Sequence, residues 1–269
     1  MKQLVSKIRR YLRLYFYFAR FSLENILIYR INSLLIGLAP IIWMVTTIIF
    51  LSVIFKGTKE IGGWSFWELL LLTGVQEIIY LASWITFLGN LINFIYSVDS
   101  GKFDLTLLRP VNHRFLVSFG ALDITSILSV VNSIVLVALS LINLKFKFSF
   151  NQVLLFLLGL IIAYLVIYLL SFIMASFSLF WIRGETFIRW LMETLDFDRY
   201  PAEIYSDWFK VFLLTFLPIL FLGYVPTGIL LGKVPKYFIF LGILIVFWLY
   251  LFSTFVWKKG LKHYQSVSS

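Results

Sequence analysis

The sequence predicts an all-α, polytopic membrane protein with six transmembrane helices, an N-terminal amphipathic interfacial helix and a short cytoplasmic helix between spans two and three. Three observations carry that reading. Hydrophobic residues make up 61% of the chain and charged residues 13%, with a mean hydropathy of +0.95. Apolar stretches repeatedly exceed the ~20 residues that cross a bilayer core. Lysine and arginine are distributed with the connections, not gathered on one soluble face.

Residues 1–30 come first. Leu4, Ile8, Tyr11, Leu12, Tyr15, Phe18 and Ala19 share one helical face, and Arg9, Arg10, Arg13 and Arg20 occupy the other. That period describes a helix lying in the membrane interface, and a simple positive-inside anchor is compatible with the same pattern. The apolar run that follows is too long for a signal-peptide core and lacks a small-residue cleavage site, so the segment is read as retained.

Span one is 31–55, interrupted only by Pro40, which a membrane helix tolerates where neighbours re-satisfy the freed carbonyl. Span two is 66–97, span three 115–144, span four 153–182, and span six 237–257. Pro218, Gly223, Pro226 and Gly228 divide the fifth candidate, 211–231, into pieces each too short to cross alone. A kinked span is preferred, because a re-entrant hairpin would force 186–197 across the bilayer. That would carry Arg189, Glu193 and Asp196 inward, at a cost of several kcal/mol per charge. With six spans, 17 lysines and arginines fall on the side of the termini and 6 on the other, which places both termini in the cytoplasm. Residues 1–269 are read as one transmembrane domain with no room for a separate nucleotide-binding or catalytic domain, so any energy source is expected on a partner.

Few sites of chemistry are legible. With no cysteine, thiolate metal sites and cysteine nucleophiles are excluded. Neither His113 nor His263 belongs to a metal-spaced cluster, and both sit beside basic cytoplasmic residues. The chain has no phosphate-cradling G-x-x-x-x-G-K loop and no G-x-S-x-G elbow. No catalytic residue, no metal and no cofactor is assigned. The net charge of +10 follows membrane topology, which argues against nucleic acid.

Polar residues within spans are the remaining candidates, because each is costly in lipid unless it faces protein or water. In span two Glu68, Ser83, Thr86, Asn90 and Asn93 share a face, with Glu77 nearly opposite. The stripe either lines a translocation path or packs helices through hydrogen bonds. The path candidates are Glu77, Thr86, Asn90 and Asn93, joined by Trp43 and Trp84, the two tryptophans deep enough to contact cargo. In span three Ser126, Ser129, Ser133 and Ser140 form a small-residue seam, read as packing and as a surface available to a second permease.

Residues 98–114 are long enough for a short helix capped at Asp99 or Ser100 and ended by Pro110. Phe103, Leu107 and Leu108 form its apolar face, flanked by Lys102, Asp104 and Arg109, a pattern suited either to a groove on a soluble protein or to lipid headgroups. Here the segment Gly101-Lys-Phe-Asp-Leu-Thr-Leu-Leu-Arg-Pro-Val-Asn112 resembles the signature of ABC transporter permeases of the drug-export, daunorubicin-resistance-like kind. Arg199-Tyr-Pro-Ala-Glu-Ile-Tyr205, followed by Leu217-Pro218 and Tyr224-Val-Pro226, is similar to the same family, as is Trp257-Lys-Lys-Gly-Leu-Lys-His-Tyr264.

The resemblance implies a half-transporter in which two six-span permeases, identical or homologous, each engage a cytoplasmic ABC ATPase that binds ATP and Mg. Lys102, Phe103, Asp104, Leu107, Leu108, Arg109 and Pro110 would form the coupling helix. A re-entrant element from Tyr200-Pro201 through Pro218, Tyr224 and Pro226 would be the outer gate. Export of a hydrophobic or amphipathic cargo (drug, lipid or peptide) across the plasma (inner) membrane is the implied function. Two other readings are kept: an autonomous carrier or channel using Glu68, Glu77 and the span-two asparagines for ions, and a membrane enzyme acting on lipids.

Overall fold

A computed structural model describes residues 2–28, 30–123, 127–147, 149–181 and 184–264. Ser126 of the serine seam and Arg183 of the charge pattern lie outside the described residues, as do the side chains of Leu4, Ile8 and Leu12. The described residues form helices joined by turns and loops, with one isolated bridge between Ile61 and Trp64. Among the described residues three helices, Phe66–Asp99, Phe150–Leu179 and Phe238–His263, are long and apolar enough to cross a membrane, and Ile41–Ile54 and Ser129–Asn143 are shorter apolar stretches.

The amphipathic helix α1 (Lys2–Ile28) precedes α2 (Arg30–Ile54), which runs through Pro40 without a break. A tight loop leads to α3 (Phe66–Ser83), whose first turn is fastened by Glu68: its Oε2 accepts from the Ser65 backbone N–H at 2.7 Å and from the Ser65 hydroxyl at 2.9 Å. A π turn at Trp84–Leu88 joins α3 to α4 (Gly89–Asp99). Hydroxyls hold this irregular turn, with Ser83 Oγ donating to the Ile79 carbonyl at 2.7 Å and Thr86 Oγ1 to that of Ala82 at 2.7 Å.

After α5 (Phe103–Leu107) and α6 (His113–Phe119) the chain leaves helical geometry. Residues 115–144 are therefore not the continuous helix their composition predicts: residues 120–123 are not helical, and α7 spans Ile127–Asn143. The opened backbone finds partners elsewhere. The Leu122 N–H donates to Ser22 Oγ at 3.1 Å, and the Asp123 N–H to the Ile85 carbonyl in the π turn at 3.0 Å. Asn90 Nδ2 donates to the Ala121 carbonyl at 2.8 Å. Three side-chain and backbone groups thus replace the intrahelical bonds that a continuous span would have made.

Helix α7 packs extensively on α3. Ser129, Ser133 and Ser140 are buried there, and Ser133 and Ser140 donate to carbonyls of their own helix. The seam is spent within the chain, so the expected surface for a second permease does not lie on these serines.

Helix α8 (Phe150–Ser176) packs along α12 (Phe238–His263) to form the other main helix pair. Between them in sequence lie α9 (Glu185–Thr194), a 3₁₀ segment Leu195–Arg199, α10 (Asp207–Thr215) and α11 (Tyr224–Leu231). Residues 211–231 are thus not one kinked helix. Pro218 follows the end of α10, and α11 restarts at Gly223, which has the close contacts only glycine allows. A Cβ there would lie 2.9 Å from Asp198 Oδ2, 3.0 Å from Gln76 Cβ and 3.3 Å from the Leu72 carbonyl.

The preceding segment runs along α3. Gln76 Nε2 donates to the Leu195 carbonyl at 2.9 Å, partway along α3, while Trp64 Nε1, just before α3 begins, donates to Glu203 Oε2 at 3.2 Å. The fully buried Asp198 lies between, accepting the Tyr224 backbone N–H at 3.2 Å through Oδ1. One hydrophobic core spans this assembly, including Leu72, Phe87, Phe172, Leu191, Phe221 and Trp257.

Candidate functional site

The polar loop 98–114 forms a short helix with two unlike sides. Gly101 sits at φ +72°, where side chains other than glycine are strained, and turns the chain into α5. Phe103 is fully buried, its ring 5.1 Å from Phe94, 5.3 Å from Tyr264 and 6.4 Å from Trp257. This corrects the sequence reading, because Phe103 fills a socket in its own chain and is not part of an outward face. Leu107 packs half-buried against the same core.

The outward apolar surface is instead Leu108, 80% exposed, with Leu105, 64% exposed. Leu105 was missed, although its i,i+3 spacing from Leu108 was readable. Lys102 and Arg109 are exposed and Asp104 half-buried, near Tyr264. Burial, assisted by Asp104, pushes the Tyr264 phenol up to about 12, so it is neutral at any physiological pH. The Pro110 carbonyl accepts from Arg10 Nη2 at 3.4 Å, and Tyr11 packs edge-on to Phe115 with centroids 4.8 Å apart, which fastens α1 to this loop.

The span-two polar residues separate into two groups. Trp43 on α2 and Glu77 on α3 meet directly, the indole Nε1 donating to Glu77 Oε1 at 2.7 Å. The Arg199 guanidinium lies 4.6 Å from the Trp43 ring and pairs with Asp196 at 3.0 Å. Beside them is a cavity of about 280 Å³ lined by Trp43, Thr46, Thr47, Phe50, Leu51, Thr73, Arg199 and Tyr200. Aromatic faces, hydroxyls and a planar cation therefore converge on one concave surface, the chemistry that fits an amphipathic guest. Arg199 and the threonines of α2 were not singled out from sequence, Arg199 having been counted with the cytoplasmic cations.

Asn90 and Asn93 lie apart from Trp43 and Glu77, lining a second cavity of about 240 Å³ with Thr106 and Arg109 of the 98–114 loop. Thr86 shares a 2.7 Å hydrogen bond with Tyr164, and Trp84 stands edge-on to Tyr80 with centroids 6.2 Å apart. Neither joins Trp43 and Glu77.

A polar cluster lies at the other end of α3, around Trp64 and Glu68. Glu203 accepts from Trp64 through Oε2 and from the Tyr224 hydroxyl through Oε1 at 2.6 Å. Lys233 Nζ donates to the Gly63 carbonyl at 2.6 Å and to Glu68 Oε2 at 2.7 Å, and lies 5.1 Å from the Trp64 ring. Of the sequence-predicted gate residues, Tyr224 belongs to this cluster directly. Pro201 lies beside Gly62, Pro226 packs on Gly159, Pro218 opens the 219–221 turn, and Tyr200 lines the cavity.

Long apolar helices, a polar loop with a protruding apolar tip and an open amphipathic cavity are the features of an integral membrane protein. The family model of the ABC-2 family transporter protein matches residues 41–268, and the chain belongs to that family as the membrane-spanning permease subunit of an ABC transporter. Searches of curated proteins and of solved structures returned no match.

Proposed function

We propose that this permease exports a hydrophobic or amphipathic cargo, driven by a separate cytoplasmic ABC ATPase that binds ATP and Mg. The observation that carries the reading is the two-sided α5: Phe103 anchors it in the bundle, while Leu105 and Leu108 project as an unpartnered apolar tip. A tip of that kind suits a groove on a soluble partner, and the buried anchor lets its displacement reach the helices beneath. Lys102 and Arg109 flank the tip and set its register by charge.

The cargo route in this proposal starts at the Asn90–Asn93 cavity beside the coupling loop and passes to the cavity lined by Trp43, Thr73 and Arg199, with Glu77 bonded to its Trp43 wall. The cluster of Trp64, Glu203, Tyr224 and Lys233 acts as the outer latch. Residues 185–205 make the fifth crossing, with α10 and α11 as a re-entrant hairpin behind the latch. Arg199 offsets its burial through Asp196 and the Trp43 face. Placing Arg189 and Arg199 within the membrane and Lys210 outside leaves 14 cytoplasmic lysines and arginines against 7, so the termini stay cytoplasmic. A second permease, the same chain or a homologue, covers the exposed apolar face of α2 formed by Ile42, Val45, Ile49 and Val53.

The test is mild-detergent affinity purification of the tagged chain from its native host with mass spectrometry of what is retained. Recovery of a soluble ATPase supports the reading. Recovery of the chain alone after crosslinking opposes it and favours an autonomous carrier.

A further inference from the structure

We propose that Arg114 is a positioning residue that transmits motion of the coupling loop to the α8–α12 helix pair. Its place in the chain gives it that opportunity. Asn112 caps α6, its Oδ1 accepting the Phe115 N–H at 3.2 Å, so Arg114 stands on the first turn of a helix that begins directly after the coupling loop.

From there the side chain enters the seam between two other helices. Nη2 donates to Ser253 Oγ at 3.0 Å and Nη1 to Thr254 Oγ1 at 3.2 Å, both on α12. Nε donates to the Tyr168 hydroxyl on α8 at 3.4 Å. The guanidinium carbon also lies 4.2 Å from the centroid of the Phe172 ring and 5.5 Å from that of Tyr250. Ser253 and Thr254 each commit their hydroxyl proton to the Tyr250 carbonyl at 2.9 Å. Their oxygens are therefore left as acceptors aimed at the arginine.

The chemistry makes this joint sensitive to geometry. The described partners of the guanidinium are neutral hydroxyls and aromatic faces, so its charge is held only while the fork and the rings keep their positions. Lysine has neither the fork nor the planar face. Phe103 grips α12 one helical turn further on, at Trp257, and at Tyr264. Displacing the loop then pulls α12 at two places, with Arg114 the place that also engages α8. A role in merely anchoring the cytoplasmic end to headgroups would have left Arg114 outside this seam.

The inference rests on the coupling reading, and the test separates the two. The natural chain has no cysteine, so spin labels at Leu154→Cys on α8 and Phe240→Cys on α12, both exposed, report their separation by pulsed electron resonance. The labelled chain is reconstituted in liposomes with the ATPase that copurifies with it and trapped with ATP, Mg and vanadate. The expected result is a trapping-dependent distance shift in the parent chain that is lost in Arg114→Gln. Less than half of it should remain in Arg114→Lys, with the ATPase still bound and hydrolysing. A full shift in Arg114→Gln with bound ATPase overturns the proposal. Should that variant fail to fold, Ser253→Ala with Thr254→Val removes the acceptors and keeps the arginine, and an undiminished shift there overturns it equally. A parent chain that holds no ATPase overturns the coupling reading before any variant is made, and the transmission role with it.

Discussion

Trp43 and Glu77, 34 residues apart on different helices, meet through a 2.7 Å hydrogen bond from the indole nitrogen to the carboxylate, with the Arg199 guanidinium on the same ring. The pairing fixes α2 against α3 at the wall of the larger cavity. Glu77→Ala leaves the indole N–H without its acceptor and removes one of the two carboxylates near Arg199, the other being Asp196. We expect ATP-dependent efflux of a fluorescent amphiphile from inverted vesicles to fall roughly tenfold, an effect of about 1.4 kcal/mol. The ATPase should remain bound, and unchanged efflux would remove this cavity from the route.

The two sides of α5 separate in their response to substitution. Leu105→Asp and Leu108→Asp place charge on the exposed tip and should leave thermal stability unchanged while abolishing copurification of the ATPase. Phe103→Ala empties the socket formed by Phe94, Trp257 and Tyr264, so the expected loss is of stability, about 3–5 kcal/mol, read as a lower unfolding midpoint in detergent. If Phe103→Ala left the midpoint where it was, the anchor would have no mechanical role.

At the outer cluster, Tyr224→Phe removes the hydroxyl that Glu203 accepts at 2.6 Å and should loosen the latch. A single cysteine at Thr47, which lines the cavity, should then react several-fold faster with a membrane-impermeant maleimide applied from outside. Equal rates in the parent and Tyr224→Phe would show that this cluster does not gate access.

Gly223→Ala brings a methyl group within 2.9 Å of Asp198 Oδ2 and 3.0 Å of Gln76 Cβ, in a buried place between α3 and the 195–199 segment. Overpacking of this kind costs about 1–3 kcal/mol. The variant should show a lowered unfolding midpoint, and an unchanged midpoint would show that the enclosure yields to a methyl group without cost.

Much of this architecture is legible because lipid imposes a simple rule on composition. The helices from Phe66, Phe150 and Phe238 follow directly from apolar length. What was not legible depends on partners distant in sequence. The break after Phe119 is made tolerable by Asn90, Ile85 and Ser22, none of which marks itself as a cap. Likewise, the folding of 195–231 against α3 depends on Gln76, Asp198, Glu203 and Tyr224, and charge counting alone favoured a kinked helix there. Trp43 and Glu77 were both recognisable as costly or amphipathic side chains in a span, but their contact and the arrival of Arg199 are tertiary. The outward direction of Leu105 and the inward direction of Phe103 turn on the exact phase of a five-residue helix, which amphipathic patterning over so short a segment does not fix.

The central claim is that the tip of α5 docks a cytoplasmic ATPase. Its most direct test places a photo-crosslinking amino acid at Leu108, and separately at Phe103, in the native host, followed by irradiation and mass spectrometry of the adducts. The account expects a crosslink from position 108 to a soluble ABC ATPase and none to that partner from position 103. Adducts to lipid alone from position 108, in cells where the chain is assembled in the membrane, would contradict it.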